Sequence, residues 1–254
     1  MLDGMRMATE GMLQMSVRQD IVTNNLANVG TAGFRKESLV VESFSEVMAR
    51  EATGKGEVTG GGGLENRGGV RHRSITHTGQ GALKETGNAF DLAISDDVGK
   101  AYFTVQDASG KLKFTRGGAF KLHPTSGHLV TSDGNMVLGQ RGPIKANGSD
   151  FKVTDDGRVV IDGKEVDKLL ISQLDDPNAI DRTNGSSFTV NGQSVTAAKD
   201  FRIKQGYTEQ ANFNALTEMV ELMQTMRNFE ANQKALQSHD QRLQKTVNEL
   251  GRVR

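Results

Sequence analysis

The sequence has no cysteine and no tryptophan, only three prolines and two tyrosines, and no excess of either charge, with 31 Lys and Arg against 31 Asp and Glu. Each shortage excludes something. Without cysteine there are no disulfides and no thiolate sites, although this does not fix the compartment. Without a basic excess, nothing favours a phosphate backbone or an anionic lipid surface, so neither nucleic acid nor membrane is expected as a main partner. No stretch approaches the roughly 20 apolar residues of a membrane-spanning helix, so no membrane insertion is expected. Asp3, Arg6 and Glu10 interrupt the start of the chain, and Gln14, Arg18 and Asp20 follow. That pattern is not a secretory signal. A chain acting outside the cytoplasm would then leave by a route without a cleaved signal peptide.

What the chain does have is glycine, 30 of 254 residues, with a hydrophobic fraction of 35% and a mean hydropathy of −0.48. Many glycines and few aromatics predict tight turns, short strands and small cores rather than one thick core. The length suits one large domain or two modest ones.

The character of the sequence changes twice. Near the start, Met5, Ala8, Met12, Met15, Gln19, Val22, Leu26 and Val29 follow an alternating three-four spacing, with Gln19 the one polar member. This is the stripe of a helix that meets another helix along a coiled-coil seam. Gly30 and Gly33 are the expected stop. Near the end, Ala215, Met219, Leu222, Met226, Phe229, Gln233, Leu236, Asp240, Leu243, Val247 and Leu250 repeat the spacing, broken only at Gln233 and Asp240. A helix over 212–250 would be about 58 Å long at roughly 1.5 Å per residue. So narrow a stripe does not hold so long a helix alone, and the N-terminal helix is the expected partner.

Between the helices, residues 51–70 are glycine-rich and read as a flexible linker or an exposed hairpin. From Val70 onward, turn pairs such as Ser109-Gly110, Ser126-Gly127, Asp133-Gly134, Asp156-Gly157, Asp162-Gly163 and Asn191-Gly192 punctuate short alternating segments. Strands are expected at 101–106, 111–115, 158–161 and 169–174. The fold class is therefore α+β: paired long terminal helices, coiled-coil-like, around a central all-β domain. The expected division is an N-terminal helix over 1–33, a glycine-rich extension over 34–70, the β domain over 71–205 and a C-terminal helix over 206–254.

Four ordered segments carry a resemblance. The first is Asn24-Asn25-Leu26-Ala27-Asn28-Val29-Gly30-Thr31-Ala32-Gly33-Phe34. The second joins Gln80-Gly81-Ala82-Leu83, Thr86-Gly87-Asn88 and Asp91-Leu92-Ala93-Ile94. The third runs from Phe114-Thr115-Arg116-Gly117-Gly118-Ala119-Phe120 to Gly127 through Gly134. The fourth runs from Glu209-Gln210-Ala211-Asn212-Phe213 through Glu218-Met219-Val220 to Arg227-Asn228-Phe229-Glu230-Ala231-Asn232. Together they resemble the bacterial flagellar basal-body rod proteins, a family of rod and hook axial subunits. Two departures stand out. Ala32 replaces the family's usual proline, and Asp97 to Phe103 lacks its glycine-rich turn with paired phenylalanines.

The resemblance implies a structural subunit with no catalytic role and no cofactor. It would leave through the flagellum's own export apparatus, join copies of itself and other rod and hook proteins in a helical tube, and help transmit torque from motor to hook. Its place would be the basal body, in the cell envelope and periplasm. Between proximal and distal rod, the short 51–70 segment and central domain lean towards proximal. The terminal helices would line the channel and the β domain would form an outer layer. The residues expected at the polymerisation interface are Met5, Ala8, Met12, Met15, Val22, Asn24, Asn25, Leu26, Asn28, Gly33, Phe34, Met219, Leu222, Met226, Phe229, Leu236, Leu243, Val247 and Leu250. Methionine suits contacts that are only quasi-equivalent, and contacts between unlike patches build open helices.

Other readings have thinner support. His72, His77, His123, His128 and His239 lack cysteines or carboxylates at metal-ligand spacing. Gly60 to Gly63 lack a following Gly-Lys-Ser/Thr, and the Asp-Gly pairs lack a calcium loop's ladder. No Ser, His and Asp set stands out. From the stripes alone, an intramolecular hairpin, a trimeric stalk or a simple coiled-coil dimer fits too. The alternative from another class is a β-domain binding or catalytic module, unrelated to flagella, carried on a coiled coil.

Overall fold

The computed structural model describes residues 2–43, 70–96, 99–147, 150–174, 180–181, 187–190 and 195–251. The four glycines at 60–63, the Asp97-Val98 pair and the Asn184-Gly185-Ser186 and Asn191-Gly192 turns lie outside the described residues, as do the side chains of Val247 and Leu250.

The chain is α+β. Helix α1 spans Leu2–Ala27, a β-rich region follows, and helix α2 spans Ala215–Gly251. Helix α1 ends three residues before Gly30. The Asn28 side chain donates to the Asn24 carbonyl at 2.9 Å and closes the last turn. Gly33, at φ +70°, serves a different end: a Cβ there would lie 2.3 Å from the Arg116 carbonyl carbon. Helix α2 starts at Ala215 rather than Asn212 because Asn214 is its cap, accepting from the Leu216 N–H at 2.8 Å. Glu218 in the first turn favours the same end.

Every described strand pairing is antiparallel. Strand Ala101–Gln106 lies inside the largest sheet, bonded to Leu112–Thr115, Met136–Gly139 and Ile171–Gln173. Being central, it is buried on both faces rather than alternating. Phe103 and Val105 enter the main core with Leu92, Ile94, Phe120 and Leu129. Tyr102 points to a smaller cluster, where it meets the Phe188 ring edge-on at 5.0 Å. The Asp162-Gly163 turn has both residues at positive φ, 50° and 78°. That is the mirror-image turn whose twist suits a tight hairpin, here joining Ile161 to Lys164.

Strand Glu37–Ser43 leaves the end of α1 and pairs with Val70–Thr76 in a separate two-stranded sheet. Residues 44–69, and with them nearly all of the segment expected to be a linker or exposed hairpin over 51–70, lie outside the described residues.

Candidate assembly face and the buried joint beside it

The helices α1 and α2 pack against each other. A Cβ on Gly4 would lie 2.9 Å from the His239 ring, and one on Gly11 would lie 3.0 Å from the Asn232 amide. Arg18 donates to Glu221 at 2.8 Å, and Asn25 to Glu218 at 3.1 Å. Positions rise along α1 as they fall along α2, so the helices run antiparallel.

The facing positions differ from the apolar count. On α2 the sheltered positions are Ala215, Glu218, Glu221, Leu222, Thr225, Phe229, Asn232, Leu236, His239 and Leu243. Five of the eleven expected seam positions are there, and two, Val247 and Leu250, have side chains outside the described residues. The other four, Met219, Met226, Gln233 and Asp240, are exposed, and the residue one place earlier is sheltered instead. On the α1 side Ala8, Val22 and Asn25 are buried, Gly4 and Gly11 lie against His239 and Asn232, and Met5, Met12, Met15 and Leu26 are half-buried. Glycine lets the helices approach closely, and the Asn25–Glu218 bond satisfies a buried polar pair. Asn24 is exposed, Asn28 half-buried, and Phe34 buried with its ring 6.1 Å from Phe213.

This offset leaves a second stripe. Leu216, Met219, Val220, Met223 and Met226 are 45–70% exposed on α2, and Met7 is 70% exposed on α1. The five on α2 lie on neighbouring turns and form an apolar patch apart from Met7, of the kind that marks an interaction site.

Beneath the helices lies a joint of buried charge. Glu209, whose side chain is fully buried, accepts from Arg116 at 2.6 Å and from the Gly81 N–H at 2.9 Å, and pairs with Arg35 at 3.0 Å. Its own carbonyl accepts from the Gly33 N–H at 2.7 Å. Arg116 also reaches Asp96 and the carbonyls of Ala101 and Ile94. Burial pulls both guanidinium pKa values down. At Arg116, Glu209 and Asp96 outweigh burial and the net shift is upward. At Arg35 burial wins over the charge of Glu209.

Next to it, Lys36 pairs with Glu218 and, at 3.3 Å, with Glu221. Burial opposes the Lys36 charge, but the bond and charge of Glu218 prevail and raise its pKa. Asn25 exchanges hydrogen bonds with the Glu37 backbone, at 2.8 and 3.0 Å. Asn212 accepts from the Lys36 N–H at 2.8 Å and donates to the His77 and Gly79 carbonyls at 3.0 Å. Segments of all four sequence signatures thus meet at one place. Arg35, Lys36, Asp96 and Glu218 hold it together although the sequence reading gave them no role. The signal available was that Arg116, Glu209 and Glu218 fall inside the signatures.

The cleft beside the joint has a volume of about 340 Å³ and is lined by Gly30, Thr31, Gly117, Lys121, Thr131 and Ser132 among others. Its lining is mostly small residues and hydroxyls around one amine. Among the described residues, no helix is long and apolar enough to cross a membrane.

The chain is thus α+β, with its two terminal helices packed on each other and an apolar stripe left uncovered on α2. Comparison with known proteins gives the family. Residues 5–35 match the family model for flagella basal body rod protein, 98–161 that for the flagellar hook protein FlgE/F/G D1 domain, and 204–250 that for the flagellar basal body rod FlgEFG protein C-terminal region. The flagellar basal-body rod protein FlgG of Buchnera aphidicola subsp. Acyrthosiphon pisum is 32% identical, over 96% of this chain and 98% of the relative. FlgG of Bacillus subtilis is 29% identical over 98% and 99%. Rod protein FlgF of Rhizobium meliloti is 29% identical over 99% of both. The chain belongs to the flagellar basal-body rod protein family.

Proposed function

We propose that this chain is a structural axial subunit of the flagellar basal-body rod, which polymerises into a helical tube through its terminal helices and helps carry torque from motor to hook. The observation that carries the reading is the exposed stripe Leu216, Met219, Val220, Met223 and Met226, on the flank of a helix whose neighbouring face is already taken by α1. Burying the half that each of these side chains still exposes contributes about 1 kcal/mol apiece, since full burial of an exposed one is worth about 1.5–3 kcal/mol. The paired helices, with the α1 positions Met5, Met12 and Leu26 on their flank, form the inner, coiled-coil-like layer. The β domain, about 71–205, forms the outer one, and 34–70 is an extension between them.

The partners in this reading are further copies of the chain, other rod and hook proteins, and the flagellar export apparatus, which takes the chain out without a cleaved signal peptide. The site of action is the basal body within the cell envelope. A proximal position in the rod goes with the short 51–70 segment. The reading needs no catalytic group or cofactor.

The test is Met219→Asp together with Met223→Asp. Both side chains are half-exposed, so the β domain stays folded while the subunit disappears from purified basal bodies. Normal incorporation of this variant would refute the stripe as the assembly contact.

A further inference from the structure

Two consecutive cations grip opposite sides of the chain's passage into α2. Arg35, with 3% of its side chain exposed, turns towards the β domain, where it pairs with Glu209 at 3.0 Å and donates to the Gly79 carbonyl. Lys36 turns the other way, to Glu218 and Glu221 in the first two turns of α2. The backbone between them is fixed as well. Gly33 donates to the Glu209 carbonyl at 2.7 Å, and Lys36 to the Asn212 side chain at 2.8 Å. Glu209 to Glu221 is the stretch that carries the chain from β structure into helix, and residues 33–36 hold it along its length.

We propose that Arg35 and Lys36 are positioning residues, a two-sided clamp that fixes the angle between the helical pair and the β domain. The reason lies in the kind of contact. Apolar surfaces slide over one another at little cost, because burial has no direction. A charge-assisted hydrogen bond inside a protein depends on distance and angle, and if the joint rocks the fully buried Glu218 loses its lysine while the fully buried Glu209 loses one of its two guanidinium partners and keeps Arg116. The clamp deepens, and rests on, the rod reading: a subunit that carries torque between an inner and an outer layer needs a joint that does not yield.

The absence of cysteine makes the joint directly measurable. Spin labels at Lys145→Cys in the β domain and Gln224→Cys on α2, both exposed positions, report the distance across it by pulsed electron resonance on the isolated full chain. The parent shows one narrow distance distribution. Lys36→Gln leaves the Arg35–Glu209 pair in place, so helix content and the near-ultraviolet signal of the β domain persist while the narrow peak is lost. Lys36→Arg keeps it. A purely stabilising role would lower the melting temperature and leave the peak narrow. That result overturns the clamp, as does a broad distribution in the parent. Loss of helix content in Lys36→Gln overturns it too, since the side chain would then hold the helix rather than its angle. A failure of the rod reading would appear as absence from basal bodies and would leave these distances unchanged.

Discussion

Replacing Glu209 by glutamine removes one negative charge and almost no volume, which makes it a clean probe of the buried joint. The carboxylate is fully buried and meets Arg116 at 2.6 Å, the Gly81 N–H at 2.9 Å and Arg35 at 3.0 Å. Each partner is a donor. Glutamine offers one acceptor oxygen and turns an NH2 group towards donors, so at least one contact becomes donor against donor. Two buried guanidiniums would then share Asp96 as their remaining anion among the side chains joined here. Removing one member of a buried pair costs about 3–5 kcal/mol. Against a total stability of about 5–15 kcal/mol this is a large share. With a urea slope of about 2 kcal/mol per molar, the unfolding midpoint falls by about 2 M. The chain has no tryptophan, but Tyr102, 1% exposed beside Phe188, reports the β domain by near-ultraviolet circular dichroism. Glu165→Gln is the control, because its pairing with Arg158 at 3.7 Å is exposed on both sides. Its midpoint stays where it was. A Glu209→Gln midpoint indistinguishable from the control would refute the view that this charge holds the joint.

Two further outcomes follow from the same geometry. Gly33→Ala puts a methyl 2.3 Å from the Arg116 backbone at φ +70°, whereas Gly134→Ala, at φ +81°, has nothing within 4 Å. The second variant pays only the left-handed penalty of about 1–2 kcal/mol. The first loses several degrees more in thermal midpoint, and equal losses would contradict the close approach. The remaining outcome concerns pH. Burial pushes the Glu221 pKa up, but the bond to Arg18 and the charge and bond of Lys36 outweigh it, and the net shift is downward. Its stabilising contribution is complete above the ordinary glutamate range and is lost as pH falls through the depressed value. Arg18→Gln therefore weakens helix retention at neutral pH, followed by far-ultraviolet dichroism, and shrinks the gap from the parent at strongly acidic pH. A gap that grows on acidification would be the wrong sign.

The helices, the turn glycines and the central strands were legible because they rest on local periodicity and backbone freedom. The seam was legible only to within one residue. Counting apolar side chains favours Met219 and Met226 over Glu218 and Thr225, yet Glu218 and Thr225 are the buried ones. Glu218 is sheltered because Asn25 and Lys36 satisfy it, and that compensation comes from elements distant in sequence. The joint was hidden for the same reason. Arg35, Arg116, Asp96 and Glu209 stand far apart in the sequence, and the Arg116–Glu209 bond spans 93 positions. The signatures marked the place without revealing that it was a buried ion network.

The most direct measurement is a density map of basal bodies isolated from cells that express this chain. The account predicts the chain within the rod, its helical pair lining the channel, its β domain outside, and Leu216 to Met226 covered by a neighbouring subunit. Rods complete without the chain, or that stripe facing solvent in the assembled tube, would contradict it.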